Sequence, residues 1–146
     1  MIVTTRRAAY VGLLISVAWL QGCSDNASTS TAPQLPVYAA DVAGGAKVCE
    51  AKAPALVPNQ AVDTAMKVVN DGGWCGISVH QDGSKPFDSE LLTARPAHGT
   101  VTVHPVGGNT RIDYVPDRGF TGTDSFAVKL LPGSSVVQVA VSVTAK

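Results

Sequence analysis

The stretch that most constrains this chain is residues 114–126, Tyr-Val-Pro-Asp-Arg-Gly-Phe-Thr-Gly-Thr-Asp-Ser-Phe. It reads as a strand end, a corner dense in turn formers, and a strand start. Before it, Ile112 and Tyr114 alternate with Arg111 and Asp113; after it, Phe126, Val128 and Leu130 alternate with Ser125, Ala127 and Lys129. Alternation with a period of two on both flanks means that the corner joins two half-buried strands. Gly119 and Gly122 permit backbone angles denied to other residues, and Pro116 ends the first strand. Asp124 can accept backbone N–H groups across the corner. Tyr114 and Phe126 each bring roughly 150–250 Å² of area to a core.

The chain on either side supplies matching strands. Val62, Thr64, Met66 and Val68 fall on one side of a strand, with Asp63, Ala65, Lys67 and Val69 on the other. A helix over residues 59–69, capped by Asn59, is the alternative. Asn70-Asp71-Gly72-Gly73 then reads as a hairpin turn, since these residues tolerate positive φ. Residues 74–80 are the return strand, stopped by Gln81-Asp82-Gly83. Residues 87–93 form another strand. Val101 and Val103 face one way, with Thr100, Thr102 and His104 facing the other, before a turn at Gly107-Gly108-Asn109. After a turn at Pro132-Gly133-Ser134, the odd-numbered valines Val137 to Val143 alternate with Gln138, Ala140, Ser142 and Thr144. Short strands with turn signals every 8–12 residues indicate an antiparallel sandwich. Charged residues make up 15% of the chain, below the roughly 25% of ordinary domains. That composition suits an all-β module outside the cytoplasm.

Pro96-Ala97-His98-Gly99-Thr100-Val101, then Tyr114-Val115-Pro116, then Gly119-Phe120-Thr121-Gly122-Thr123-Asp124-Ser125-Phe126 resemble the bacterial Ig-like, cadherin-like repeats of surface and secreted proteins. The resemblance covers about residues 60–146. It implies an Ig-like β-sandwich in which His98, Gly99, Tyr114, Pro116, Gly119, Gly122, Asp124 and Phe126 are structural. Two features depart from the family's habit. There is one copy where tandem arrays are usual, which argues against a long adhesive stalk, and a cysteine pair is added upstream.

The N-terminus supplies an address. Arg6 and Arg7 are the only charges in residues 1–22, and an apolar run over residues 10–20 follows them. The run is too short to cross a hydrocarbon core of about 30 Å, and the segment has the order of an export signal. The paired arginines raise the twin-arginine route, but Ala8-Ala9-Tyr10 departs from its pattern and favours the general secretory route. Leu20-Gln21-Gly22-Cys23 resembles the bacterial lipobox, with Gln21 the least typical residue. The resemblance implies cleavage before Cys23, lipidation of its thiol, and anchoring in the envelope of a bacterial cell. Ser24 points by the same resemblance to the outer membrane. Without residues 1–22 the chain keeps 9 basic and 11 acidic residues, a net charge of about −2. Residues 24–36 are rich in Ser, Thr, Ala, Asn and Pro and read as a disordered tether. Residues 37 and 38 can begin an edge strand that Gly44-Gly45 interrupts. About 20 flexible residues give a reach of roughly 25 Å. The expected organisation is thus a lipoprotein signal at 1–22, lipidated cysteine and tether at 23–45, and the sandwich at 46–146.

With Cys23 assigned to lipid, Cys49 and Cys75 remain. In an exported protein such a pair most often forms a disulfide, worth about 3.5 kcal/mol on the chain-entropy model. The competing reading, a catalytic or metal-binding thiol, lacks a CxxC or a nearby Cys/His spacing. Trp74 neighbours Cys75, so the two point to opposite faces of a strand. If Cys75 faces inward, Trp74 lies outside, where it either contacts a partner or glycan or is covered by residues 37–52.

Other chemistries find little footing. His80, His98 and His104 lack the spacing of a metal cluster. Asp113, Asp117 and Asp124 surround the corner and offer oxygens to Ca²⁺, but calcium in cadherin-like relatives sits mostly between successive repeats. There is no Gly-x-Ser-x-Gly elbow. No basic patch addresses nucleic acid. The expectation is a non-enzymatic module without cofactor, bound to the membrane by lipid, meeting another envelope protein or a glycan, or serving an envelope enzyme as an accessory subunit.

Overall fold

In a computed structural model, residues 39–146 can be described. The lipobox, Cys23, residues 37 and 38 and most of the expected tether lie outside them. A short helix, α1 (Ala39–Ala43), precedes eight strands: β1 (Cys49–Ala51), β2 (Ala61–Asn70), β3 (Cys75–Val79), β4 (Ser89–Ala94), β5 (Gly99–Val106), β6 (Asn109–Pro116), β7 (Gly122–Leu131) and β8 (Ser135–Ala145). They form two sheets, one ordered β1-β2-β8-β7-β4 and the other β3-β6-β5. No helix among the described residues is long and apolar enough to cross a membrane.

The core lies where the alternation places it. Met66, Val68, Phe126, Val128, Leu130, Val137, Val139, Val141 and Val143 come from the five-stranded sheet; Cys75, Ile77, Val79, Ile112 and Tyr114 come from the three-stranded one. Their intervening neighbours Lys67, Ser125, Gln138 and Ala140 are exposed. Two hairpins follow the expected turns. Gly107-Gly108 joins β5 to β6, and Pro132-Gly133-Ser134 joins β7 to β8, with positive φ at Gly107, Gly133 and Ser134. The strand expected over residues 62–69 is β2, and Asn59, the cap of the alternative helix, sits in the turn before it with φ of +58°.

Three expectations change. Asn70-Asp71-Gly72-Gly73 does not close a hairpin. β2 and β3 lie in different sheets, β3 pairs with β6, and the tetrad carries the chain across. Turn-forming residues specify a reversal, not the partner reached after it. Second, one ladder is parallel: β2 runs alongside β8 from Ala61↔Val136 to Asn70↔Ala145, while the other ladders are antiparallel. The connections between β2 and β8 supply the crossover that a parallel pair needs. Third, residues 39–45, which composition groups with the tether, form α1 and a bridge from Gly45 to Trp74.

The Cys49–Cys75 disulfide is present and joins β1 of one sheet to β3 of the other. The corner between β6 and β7 is one of the places where the chain passes from sheet to sheet.

Candidate functional site

The residues of the sequence motif converge on one carboxylate. Asp124 accepts the N–H groups of Ala97, His98 and Ser125 at 2.8–2.9 Å and the Tyr114 hydroxyl at 2.9 Å. The loop before β5 is thereby fastened to the start of β7. Asp117 N–H donates to His98 O at 2.9 Å, and the His98 ring stacks on Phe120 at 4.3 Å. Asn70 Nδ2 donates to the carbonyls of Asp117 and Phe120, tying the end of β2 to the corner. Gly119 and Gly122 have φ of +79° and +133°. Gly99 serves a different need, because a Cβ there would strike the Tyr114 ring. Tyr114 stacks on Phe126 with centroids 5.9 Å apart, and both are buried. Pro116 is buried where it closes β6.

The electrostatics agree with a structural fastening. Burial acts to raise the pKa of Asp124, but the three backbone N–H donors and the Tyr114 hydroxyl outweigh it and hold the group below its ordinary value. Burial and then the bond to Asp124 push the Tyr114 phenol up.

A second constellation lies on the outer face of the three-stranded sheet, and the pattern of residues did not announce it. Thr102 pairs with Asp113 and His104 with Arg111 across β5 and β6, so all four share that face. Outward residues are ordinarily wet. Here His104 is 1% exposed and Asp113 fully buried, because residues 41–46 lie over them. Arg111 Nε is 2.9 Å from both oxygens of Asp113, and its Nη2 is 2.8 Å from Oδ2. Nη2 also pairs with Asp41 of α1. His104 Nε2 lies 3.6 Å from Asp113 Oδ2 and 4.0 Å from Asp41 Oδ2. The guanidinium stacks on Trp74 at 4.1 Å. Gly76 makes room, since a Cβ there would strike Asp113 Oδ1. Burial pushes the Asp113 carboxyl above its ordinary value against the opposing pull of Arg111. The bonds to Asp113 and Asp41 overcome the burial of Arg111 and hold it firmly protonated.

Trp74 therefore stands on the outer face, as its place beside Cys75 requires, but Arg111 covers one side and Gly45 approaches its ring. Asp41, His104 and Asp113 each offer a ligand atom within 4.8 Å of the others. The two carboxylates of this group pair with the Arg111 guanidinium. Asp113, Asp117 and Asp124 do not share a site: Asp113 is bound to Arg111, Asp124 to backbone N–H groups, and Asp117 is exposed at the corner. His80 and His98 are exposed and lie apart from His104, one beside Gln81 and one on Phe120.

A cavity of about 580 Å³ opens at the end of the sandwich beyond β3. Pro54, Leu56, Pro58 and Phe87 give it apolar walls, and Ser78, His80 and Ser135 line it with polar groups.

The family described as Bacterial Ig domain matches residues 50–144. No curated protein matches the chain. Among solved structures, an endo-fucoidan hydrolase from glycoside hydrolase family 107 is similar, with 14% identity and a TM-score of 0.35; the match covers 59% of this chain and 13% of that one.

Proposed function

This chain belongs to the bacterial Ig domain family, and from that premise we propose that it is a lipid-anchored, non-enzymatic interaction or structural module of the bacterial cell envelope. The observation that carries the reading is the Cys49–Cys75 bridge between the sheets, because such bonds form and persist in oxidising compartments outside the cytoplasm. The leader agrees with it: a charged start, a short apolar run and Leu20-Gln21-Gly22-Cys23. Several acyl chains on Cys23 hold far more firmly than one, which binds only marginally. The sandwich then works by presenting its surfaces, at the outer membrane if Ser24 follows the sorting pattern.

Metabolic labelling with a clickable fatty acid tests the anchor. The wild type takes up label and Cys23→Ser does not. An unlabelled wild type, or equal label on both, refutes it.

A second reading has its own observation. The cavity at the end of the sandwich joins an aromatic wall, Phe87, to hydroxyl and imidazole groups, within the size range of small-ligand sites. On that reading the module binds a ligand or glycan there. Glycan-array binding that vanishes with Phe87→Ala or His80→Ala, and persists in Trp74→Ala, favours it over a site at the tryptophan. Co-purification of one envelope enzyme instead favours an accessory subunit.

A further inference from the structure

We propose that residues 41–46 are a detachable strap, and that the groove they fill is a docking site that exchanges them for the same segment of a second copy of this chain. Recognition is built into the sheet. Arg111 and Asp113 are held by β6, His104 by β5, and Trp74 immediately precedes β3. The strap brings one carboxylate and a short stretch of backbone. Asp41 meets Arg111, Ala46 N–H donates to Trp74 O at 2.8 Å, and Trp74 N–H donates to Gly44 O at 3.0 Å. Gly45 lies against the indole, and a side chain at Gly73 would strike the Ala46 backbone. The surface thus selects a carboxylate followed, a few residues on, by glycine. That is the chemistry of Asp41-Val42-Ala43-Gly44-Gly45.

The strap lies at the surface. Asp41, Val42, Ala43 and Gly45 are exposed, Val42 at 78%. A five-residue helix has no stability of its own in water. Its departure leaves no buried charge alone, because Arg111 keeps both oxygens of Asp113. The disulfide sets the hinge. Cys49 is bonded to Cys75 in the core, so the segment before it can swing while β1 and β2 stay in place. Residues 47 and 48 are the joint, with Lys47 N–H held to Asp71 at 3.0 Å. A strap from a second copy makes the same contacts as the native one, which is why swapping an identical element is a low-cost route to a dimer. Copies crowded on a shared surface gain from effective concentration. That last advantage rests on the proposed anchor; the exchange in solution does not.

The test places a photo-crosslinking amino acid at Val42 of the full chain and mixes ¹⁵N-labelled with unlabelled protein before irradiation. The expected result is cross-links between the strap peptide of one isotope and β5 or β6 peptides of the other, rising with protein concentration. Asp41→Ala placed only in the ¹⁵N-labelled copy takes the carboxylate from that copy's strap and keeps the Arg111–Asp113 pair; it is expected to reduce several-fold the cross-links from that strap to the unlabelled sheet, where it competes with an intact Asp41. Cross-links of a single isotope only, up to the solubility limit, overturn the proposal. So do mixed cross-links that Asp41→Ala leaves unchanged, since the contact is then not through the groove. Because the readout is in solution, it succeeds or fails independently of the lipid label on Cys23.

Discussion

At the scale of single residues, the two carboxylates that organise this molecule answer pH in opposite senses. Asp124 has a folded pKa below its ordinary value. Its stabilisation is complete above the unfolded pKa, near 4, and is lost as pH falls through the lower folded value. Asp124→Asn is therefore expected to destabilise the fold at neutral pH by about 1.5–3 kcal/mol, as for a hydrogen bond to a charged group, and so to lower the thermal midpoint. Below pH ~4 the variant and wild-type midpoints converge. Melts followed by circular dichroism across pH 3–7 check this, and a constant gap down to the lowest pH counts against it. Asp113 lies on the other side of the ledger: burial raises its folded pKa, so its ionised form opposes folding and depends on Arg111. Arg111→Ala leaves that carboxylate buried without its partner and is expected to cost about 3–5 kcal/mol. Replacing the pair together, with Arg111→Met and Asp113→Leu, is expected to recover most of the loss in urea denaturation. Phe126, 2% exposed and stacked on Tyr114, is expected to cost about 3–5 kcal/mol as Phe126→Ala. A melt within a few degrees of wild type contradicts that placement.

At the scale of elements, alternation was legible and partnership was not. Met66 and Val68 against Lys67, or Phe126 and Val128 against Ala127, declare faces because side chains in a strand alternate. The motif around Asp124 was legible because its residues are close in sequence and each has one physical task. The tetrad at Asn70 was misread because the same turn chemistry serves a hairpin and a crossing between sheets. The pairing of β2 with β8 was hidden by its separation along the chain. The Arg111 cluster was hidden for a third reason: Arg111 and Asp113 do point outward, and only the arrival of Asp41 from a segment of nondescript composition buries them. The disulfide stood between these cases, since elimination named the pair but not its task. It closes the side of the sandwich where β1, only three residues long, has little ladder of its own. Cys49→Ser with Cys75→Ser is expected to cost about 3.5 kcal/mol by chemical denaturation. Amide exchange in the variant is expected to rise first in β1 and the strap. Faster exchange spread evenly over β7 and β8 points instead to a general loss of packing.

At the scale of the whole molecule, the topology sets when the chain can fold. β2, the first long strand, has its ten-residue parallel ladder on β8, the last. β7 also lies on β8, from Gly122↔Val143 to Leu130↔Ser135. Without β8 the five-stranded sheet falls into β1-β2 and β7-β4, two pairs that are marginal alone. The valines that β8 buries are also missing from the core. A chain ending at Gly133 is therefore expected to lack cooperative structure altogether, with collapsed amide dispersion and no thermal transition. A native-like spectrum from that truncation is the result that contradicts this account. The same dependence keeps these strands unpaired until β8 is made, since pairings between distant parts of a chain form late and slowly. The disulfide is late for the same reason: Cys49 and Cys75 meet only once β1 and β3 are brought together across the two sheets.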